Sequence, residues 1–146
     1  MNSMQHFAGA MTLRLSIVSA EGDIYSGDVR MVSVPSLQGQ LGILPRHAPL
    51  LAKMKPGEVS MLSLENDTDF IYVSGGFLEI QPYHVTILAD TAVRGENVDE
   101  KAALEAKARA EDVISTARLI LDRDRAYIEL LKALAQLKAL EHSRQK

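Results

Sequence analysis

The sequence predicts an α+β chain: a β-rich unit, either a sandwich or a flattened barrel, followed by a two-helix hairpin. Three observations carry this expectation. From Thr12 to about Arg94 the apolar residues fall in short alternating or β-rich runs, bounded by closely spaced turn residues. After about Asn97 the spacing of apolar residues becomes helical. Between Pro35 and Leu51 the stretch PSLQGQLGILPRHAPLL mixes glycines, prolines and a histidine into an apolar run, which a plain helix or strand does not tolerate for long.

Residues 1–11 read as a mobile extension. Their start, MNSMQHFAGA, lacks the basic head and apolar stretch of a secretory signal, and Met11 stands as an alternative start just before the patterned sequence. Leu13, Leu15 and Ile17 alternate with Arg14 and Ser16 as a first strand, closed by a turn at Glu21-Gly22-Asp23. Further strands are expected at Val29–Val34, Glu58–Leu64, Phe70–Ser74, Phe77–Ile80 and His84–Ala89. Lys55-Pro56-Gly57, Glu65-Asn66-Asp67 and Gln81-Pro82-Tyr83 supply connections. Pro35–Leu51 is expected to be a shaped loop, with Leu41, Ile43 and Leu44 as an apolar tip outside the core, which gives it the look of a docking surface. The β unit thus spans residues 12–96 and the helical unit 97–146.

Asp99 is placed to cap the first helix, along which Ala102, Ala103, Ala106 and Ala110 recur at spacings of about three and four. The second run sets Ile128, Leu131, Leu134 and Leu137 on one stripe, widened by Leu130, with Glu129, Lys132 and Lys138 facing water. Alanine on one helix and leucine on the other predicts close antiparallel packing. Ser115–Arg125 holds neither Gly nor Pro; Asp122 or Asp124 is the expected cap of the second helix, and one long helix is an alternative state.

Composition narrows the chemistry. The 146 residues are 47% hydrophobic and 24% charged, with net charge −3 and no basic cluster interleaved with aromatics, so nucleic acid is not an expected partner. With no cysteine, disulfides and thiolate chemistry are excluded. No segment approaches the roughly 18 apolar residues of a membrane helix, so any membrane association is indirect. His6, His84 and His142 lack metal-ligand spacing, and no metal site or cofactor is expected. His47, beside Arg46, has no nucleophile or carboxylate near it in sequence; it is read as holding the loop or touching a partner, not as a catalytic residue. Ser74-Gly75-Gly76-Phe77 lacks the frame of a phosphate loop and reads as a strand bend.

Taken together, the succession VP, LGILP, HAPLL, KPGEV, SGGFLEI and VTILADTA, followed by an Ala-rich charged helical tail, resembles the epsilon subunit of the F-type ATP synthase, over about Thr12–Glu141. The resemblance favours the flattened β-sandwich. It implies a non-catalytic subunit of the central stalk in a proton-translocating enzyme, peripheral on the cytoplasmic face of the bacterial inner membrane. Such a subunit joins gamma to the ring of c subunits and restrains ATP hydrolysis through its C-terminal helices. By position, Gln40, Leu41, Gly42, Pro45, Arg46 and His47 fall in the region resembling the c-ring contact, and Phe77 is core or gamma-facing. Arg118, Arg123, Arg125 and Lys132 lie where an extended tail meets the alpha and beta subunits, although acids nearly balance the tail's basic residues.

Some relatives sense ATP through a motif at the entry to the first helix. Here that position reads Val98-Asp99-Glu100-Lys101-Ala102-Ala103, without the arginine; Asp99 and Arg109 remain, and low or absent ATP affinity is expected. A literal match, Leu121-Asp122-Arg123-Asp124-Arg125-Ala126, falls instead at the helix junction. The rivals from other classes are a small free-standing hydrolase using His47 and a free nucleotide sensor.

Overall fold

The computed structural model describes residues 11–145; the expected extension lies outside them except for Met11, which is exposed in a turn. Nine strands are present among the described residues: β1 Leu13–Ser19, β2 Gly22–Ser36, β3 Gly39–Ile43, β4 Leu50–Met54, β5 Gly57–Ser63, β6 Thr68–Val73, β7 Gly76–Gln81, β8 His84–Ala89 and β9 Ala92–Arg94. A 3-10 turn, Gly95–Asn97, leads to α1 Glu100–Thr116 and α2 Ile120–Arg144.

The neighbour order is β1-β8-β7-β4-β2-β5-β6-β9, with β3 beside β2 and β1 also bonded to β2. The double bonding of β1, antiparallel to β2 and parallel to β8, closes the path and folds it into the flattened sandwich. Strand β2 is long enough to serve both layers: its first half pairs with β1, its second half with β3 and β5. The inward alternation Leu13/Leu15/Ile17, Leu78/Ile80 and Val85/Ile87 meets Val32, Ile43, Val59, Met61 and Ile71 in one core.

The expected loop is largely sheet. Pro35–Leu51 contains the end of β2, all of β3, a turn and the start of β4, and Ile43 is wholly buried in the core instead of sitting on an apolar tip. Leu41 is partly buried against the same core, and Leu44 alone of the three is exposed. The local reason is that Gly39 takes the positive φ (123°) of the β2–β3 turn, while Pro45 and Pro49 fall in the turn between β3 and β4, so neither interrupts a strand.

In the helices, Asp99 caps α1 by accepting a hydrogen bond from the Ala102 amide at 3.0 Å. Neither Asp122 nor Asp124 caps α2. The chain turns through extended backbone at Ala117 and Leu119, and the Arg123 guanidinium donates to the Ala117 carbonyl at 3.0 Å. The leucine stripe is also reversed: α2 buries Ala126, Ala133, Ala135, Ala139 and Leu140 and leaves Ile128, Leu131 and Leu134 exposed. Alanine on both helices permits close approach, and α2 is held on two sides, by α1 and by the sandwich, so its small residues face inward. Arg144 at the end of α2 pairs with Glu100 at the start of α1 at 2.7 Å, as an antiparallel pair requires.

Candidate docking site

The residues expected to touch a partner fall on three surfaces and on a short run of β3. At one end of the sandwich, the β3–β4 turn carries Leu44, Pro45, Arg46 and His47. Arg46 adopts φ 72°, held by its amide's bond to the Pro82 carbonyl at 2.6 Å in the β7–β8 turn. His47 is fixed on both sides: its amide donates to Leu44, and ring Nδ1 donates to the Ala48 carbonyl at 2.7 Å, which sets the proton on Nδ1 and leaves Nε2 as an acceptor unless the ring is charged. Both contacts of this histidine are with its own turn, the arrangement of a residue that shapes a loop. Tyr83 is exposed in the adjoining turn. A rigid tip with Leu44 outward and polar groups around it suits contact with a polar loop.

Gln40, Leu41 and Gly42 are not at that tip. They lie along β3, opposite Pro35, Val34 and Ser33, and Gln40 donates to the Ser33 hydroxyl at 2.8 Å. Gln40 also lines a cavity of about 490 Å³ between the sandwich and α2, with Lys55, Glu58, Leu131 and Leu134.

The second surface is the outer face of β4, β7 and β8. Phe77 pairs with Leu88 on one side and Lys53 on the other, with Leu51 diagonal to it. The alternation that buries Leu78 and Ile87 turns Phe77 and Leu88 outward, each 53% exposed, beside Leu51. This exposure rules out the core reading of Phe77. Sequence reasoning missed Leu51 and Leu88; the period-two pattern of β7 and β8 contained the signal. Gly76 makes the bend of Ser74–Phe77 with φ 129°, so close to β8 that a side chain would strike the Leu88 carbonyl.

The third surface is the helical hairpin. Its basic residues do not converge: Arg123 binds the junction, Lys132 pairs with Glu129 on its own helix at 3.5 Å, Arg118 sits exposed at the junction, and Arg125 lines an inter-helix cavity with Arg109 and Asp122. Asp99, at the other end of α1, is ten residues from Arg109, or about 15 Å along a helix, so the two do not share a pocket. Apolar side chains dominate the exposed part instead: Leu119, Ile120 and Leu121 at the junction, then Tyr127 and Ile128.

The hairpin rests on the sandwich through a small patch in which Ala135 and Ala139 pack on Tyr72, with Val93 beside them. Gly95 lies so near Ala139 and Ser143 that no β-carbon fits between them. Burial pushes the Tyr72 hydroxyl up to about 12, partly opposed by its side-chain bond with Gln136, with the Glu129 carboxylate adding to the rise. A further polar cross-link joins the same two units, between Glu58 of β5 and His142 of α2, a pair no sequence pattern connects.

Among the described residues, no group of three His, Cys, Asp or Glu is placed to hold a metal, and no helix is long and apolar enough to cross a membrane.

Residues 12–95 match the family described as "ATP synthase, Delta/Epsilon chain, beta-sandwich domain". The chain is 52% identical over 137 residues to the ATP synthase epsilon chain of Nitrosococcus oceani, covering 94% of this chain and 98% of that one. It is 47% identical to that of Alkalilimnicola ehrlichii, covering 92% and 96%. Among solved structures, a chain of the Euglena gracilis mitochondrial ATP synthase (OSCP/F1/c-ring) shares the fold with TM-score 0.77 at 20% identity, over 92% of this chain and 82% of that one. A chain of the Tetrahymena thermophila enzyme (central stalk/c-ring) does so with TM-score 0.56 at 12% identity, over 88% and 96%. The match of the sandwich to its family and the end-to-end agreement with these bacterial relatives place the chain in the ATP synthase epsilon chain family.

Proposed function

We propose that this epsilon chain works as a non-catalytic coupling and regulatory piece of the central stalk, peripheral on the cytoplasmic face of the bacterial inner membrane. The sandwich docks: the Leu51–Phe77–Leu88 face meets gamma, and the Leu44–His47 end, continued along β3 by Gln40, Leu41 and Gly42, meets the c ring. Rotation of the ring passes through these contacts to gamma. The helical hairpin regulates by leaving the sandwich and extending toward alpha and beta, where Arg118, Arg123, Arg125 and Lys132 fix its register. The observation that carries this reading is the unequal attachment of the two units. The sandwich has one large closed core, whereas the hairpin is held by a small patch and keeps a row of apolar side chains in water. Catalysis belongs to the partner subunits, and the free-standing hydrolase and sensor readings lose their ground with membership in the family. ATP affinity is low, because Asp99 is engaged as a helix cap away from Arg109.

Removing Val98–Lys146 from the assembled enzyme is expected to raise ATP hydrolysis several-fold, while gamma and c subunits still copurify with the tagged sandwich. Phe77→Asp in the full chain is expected to lower gamma recovery by about tenfold. Unchanged hydrolysis in the truncated enzyme removes the regulatory part of the proposal; undiminished gamma recovery removes the docking face.

A further inference from the structure

We propose that Glu58 and His142 form a proton-dependent latch that holds the helical hairpin against the sandwich. This rests on the reading that the hairpin leaves the sandwich. His142 Nδ1 lies 2.8 and 3.0 Å from the two oxygens of the Glu58 carboxylate. An ionised carboxylate only accepts, so Nδ1 carries a proton whether the ring is neutral or charged. What changes on protonation is the charge on the ring: the bond to the ionised carboxylate is charge-assisted in either state, and a proton on the ring adds the direct attraction of a full positive charge. The Glu58 side chain is only 11% exposed, so water screens the pair less than it would on an open surface.

The surroundings make the contact selective for the docked state. The imidazole leans on the Phe70 ring of β6, with centroids 4.9 Å apart. A cavity beside the two rings is lined by Asn66 and Asp67 of the β5–β6 connection, by Thr68 at the start of β6 and by Gln145. Asp67 adds negative charge on the sandwich side. On the helix itself, Lys138 shares the neighbouring cavity with Glu58, Glu141 adjoins His142, and Arg144 is bound to Glu100. His142 stands in the last turn of α2, whose carbonyl end favours positive charge. Every one of these partners from the sandwich is lost when α2 lifts away. The docked state therefore gains from a proton on His142, and loss of that proton favours release.

The chain has no cysteine, so Glu65→Cys on the sandwich and Glu141→Cys on α2 supply a unique pair of label sites in the full chain. Energy transfer between labels there is expected to show the docked-to-open ratio falling about fivefold between pH 5.5 and 8.5. Glu58→Gln and His142→Gln, which keep shape and hydrogen bonding but not both charges, are expected to flatten that response. Gly95→Ala, whose new methyl strikes Ala139 and Ser143, is expected to open the hairpin at every pH. If Gly95→Ala opens the hairpin while the parent ratio ignores pH, or if the glutamine variants keep the parent's response, the latch is wrong and the mobile hairpin stands. If neither pH nor Gly95→Ala changes the ratio, the mobile hairpin falls too.

Discussion

Gly76→Ala is expected to destabilise the sandwich by about 3 kcal/mol, lowering its melting temperature by on the order of 15 °C. Two costs combine. The residue sits at φ 129°, a conformation side chains rarely adopt, and its β-carbon would be driven into the Leu88 carbonyl, 3.0 Å from Ala89 Cα as well. Since Gly76 pairs with both Met54 and Ala89, relief requires β7 to move away from β4 or β8. Gly39→Ala separates the terms: Gly39 has nearly the same φ, 123°, but nothing within 4 Å of the added carbon, so only the backbone cost, about 1 kcal/mol, is expected there. Urea unfolding of both variants checks this; equal losses would leave the steric argument without support.

Tyr72→Ala is expected to cost about 3 to 5 kcal/mol and to detach the hairpin, since this buried ring forms the floor on which Ala135 and Ala139 rest. Limited proteolysis at the α1–α2 junction, read beside urea unfolding, distinguishes detachment from global loss. Tyr72→Phe retains the ring and loses only the bond with Gln136, about 1 kcal/mol. The same hydroxyl makes docking sensitive to alkali. Its proton is held up to about 12 in the folded chain against 10.0 for a free tyrosine, so the folded state disfavours the phenolate. Stability is therefore complete below pH 10 and is lost as pH climbs toward 12. A pH titration of α2 docking should show this loss in the parent and not in Tyr72→Phe.

Much of the sandwich was legible because its strands alternate cleanly: Leu13, Leu15 and Ile17 had to face one way. The region Pro35–Leu51 was misread because glycine and proline mark turns only by average, and here they flank two short strands whose inward residue, Ile43, is also apolar by alternation. The Asp99 cap depended on three neighbouring residues and was readable; the α1–α2 break depends on Arg123 reaching back to Ala117 and was not. Ranking leucine above alanine for burial failed in α2, where distance between backbones, not side-chain size, decides what fits. On the outer face of β4, β7 and β8, the sequence singled out Phe77 but not its exposed neighbours Leu51 and Leu88, because their adjacency is a matter of strand register. No local pattern could join Glu58 to His142, which meet only once α2 lies across β5 and β6.

The parallel pairing of β1 with β8 sets an order of events during synthesis. Arg14 finds His84, and Val18 finds Leu88, only after nearly the whole sandwich sequence has left the ribosome. Until then β1 can hold only β2, and an isolated two-stranded hairpin is marginal in water. The sandwich is thus a late, high-contact-order closure, expected on the millisecond-to-second scale, whereas α1 and α2 need only neighbours close in sequence to form. Helices made quickly but emerging after the strands meet a surface that has only just been completed, so the patch at Tyr72 and Gly95 can form only once the sandwich has closed.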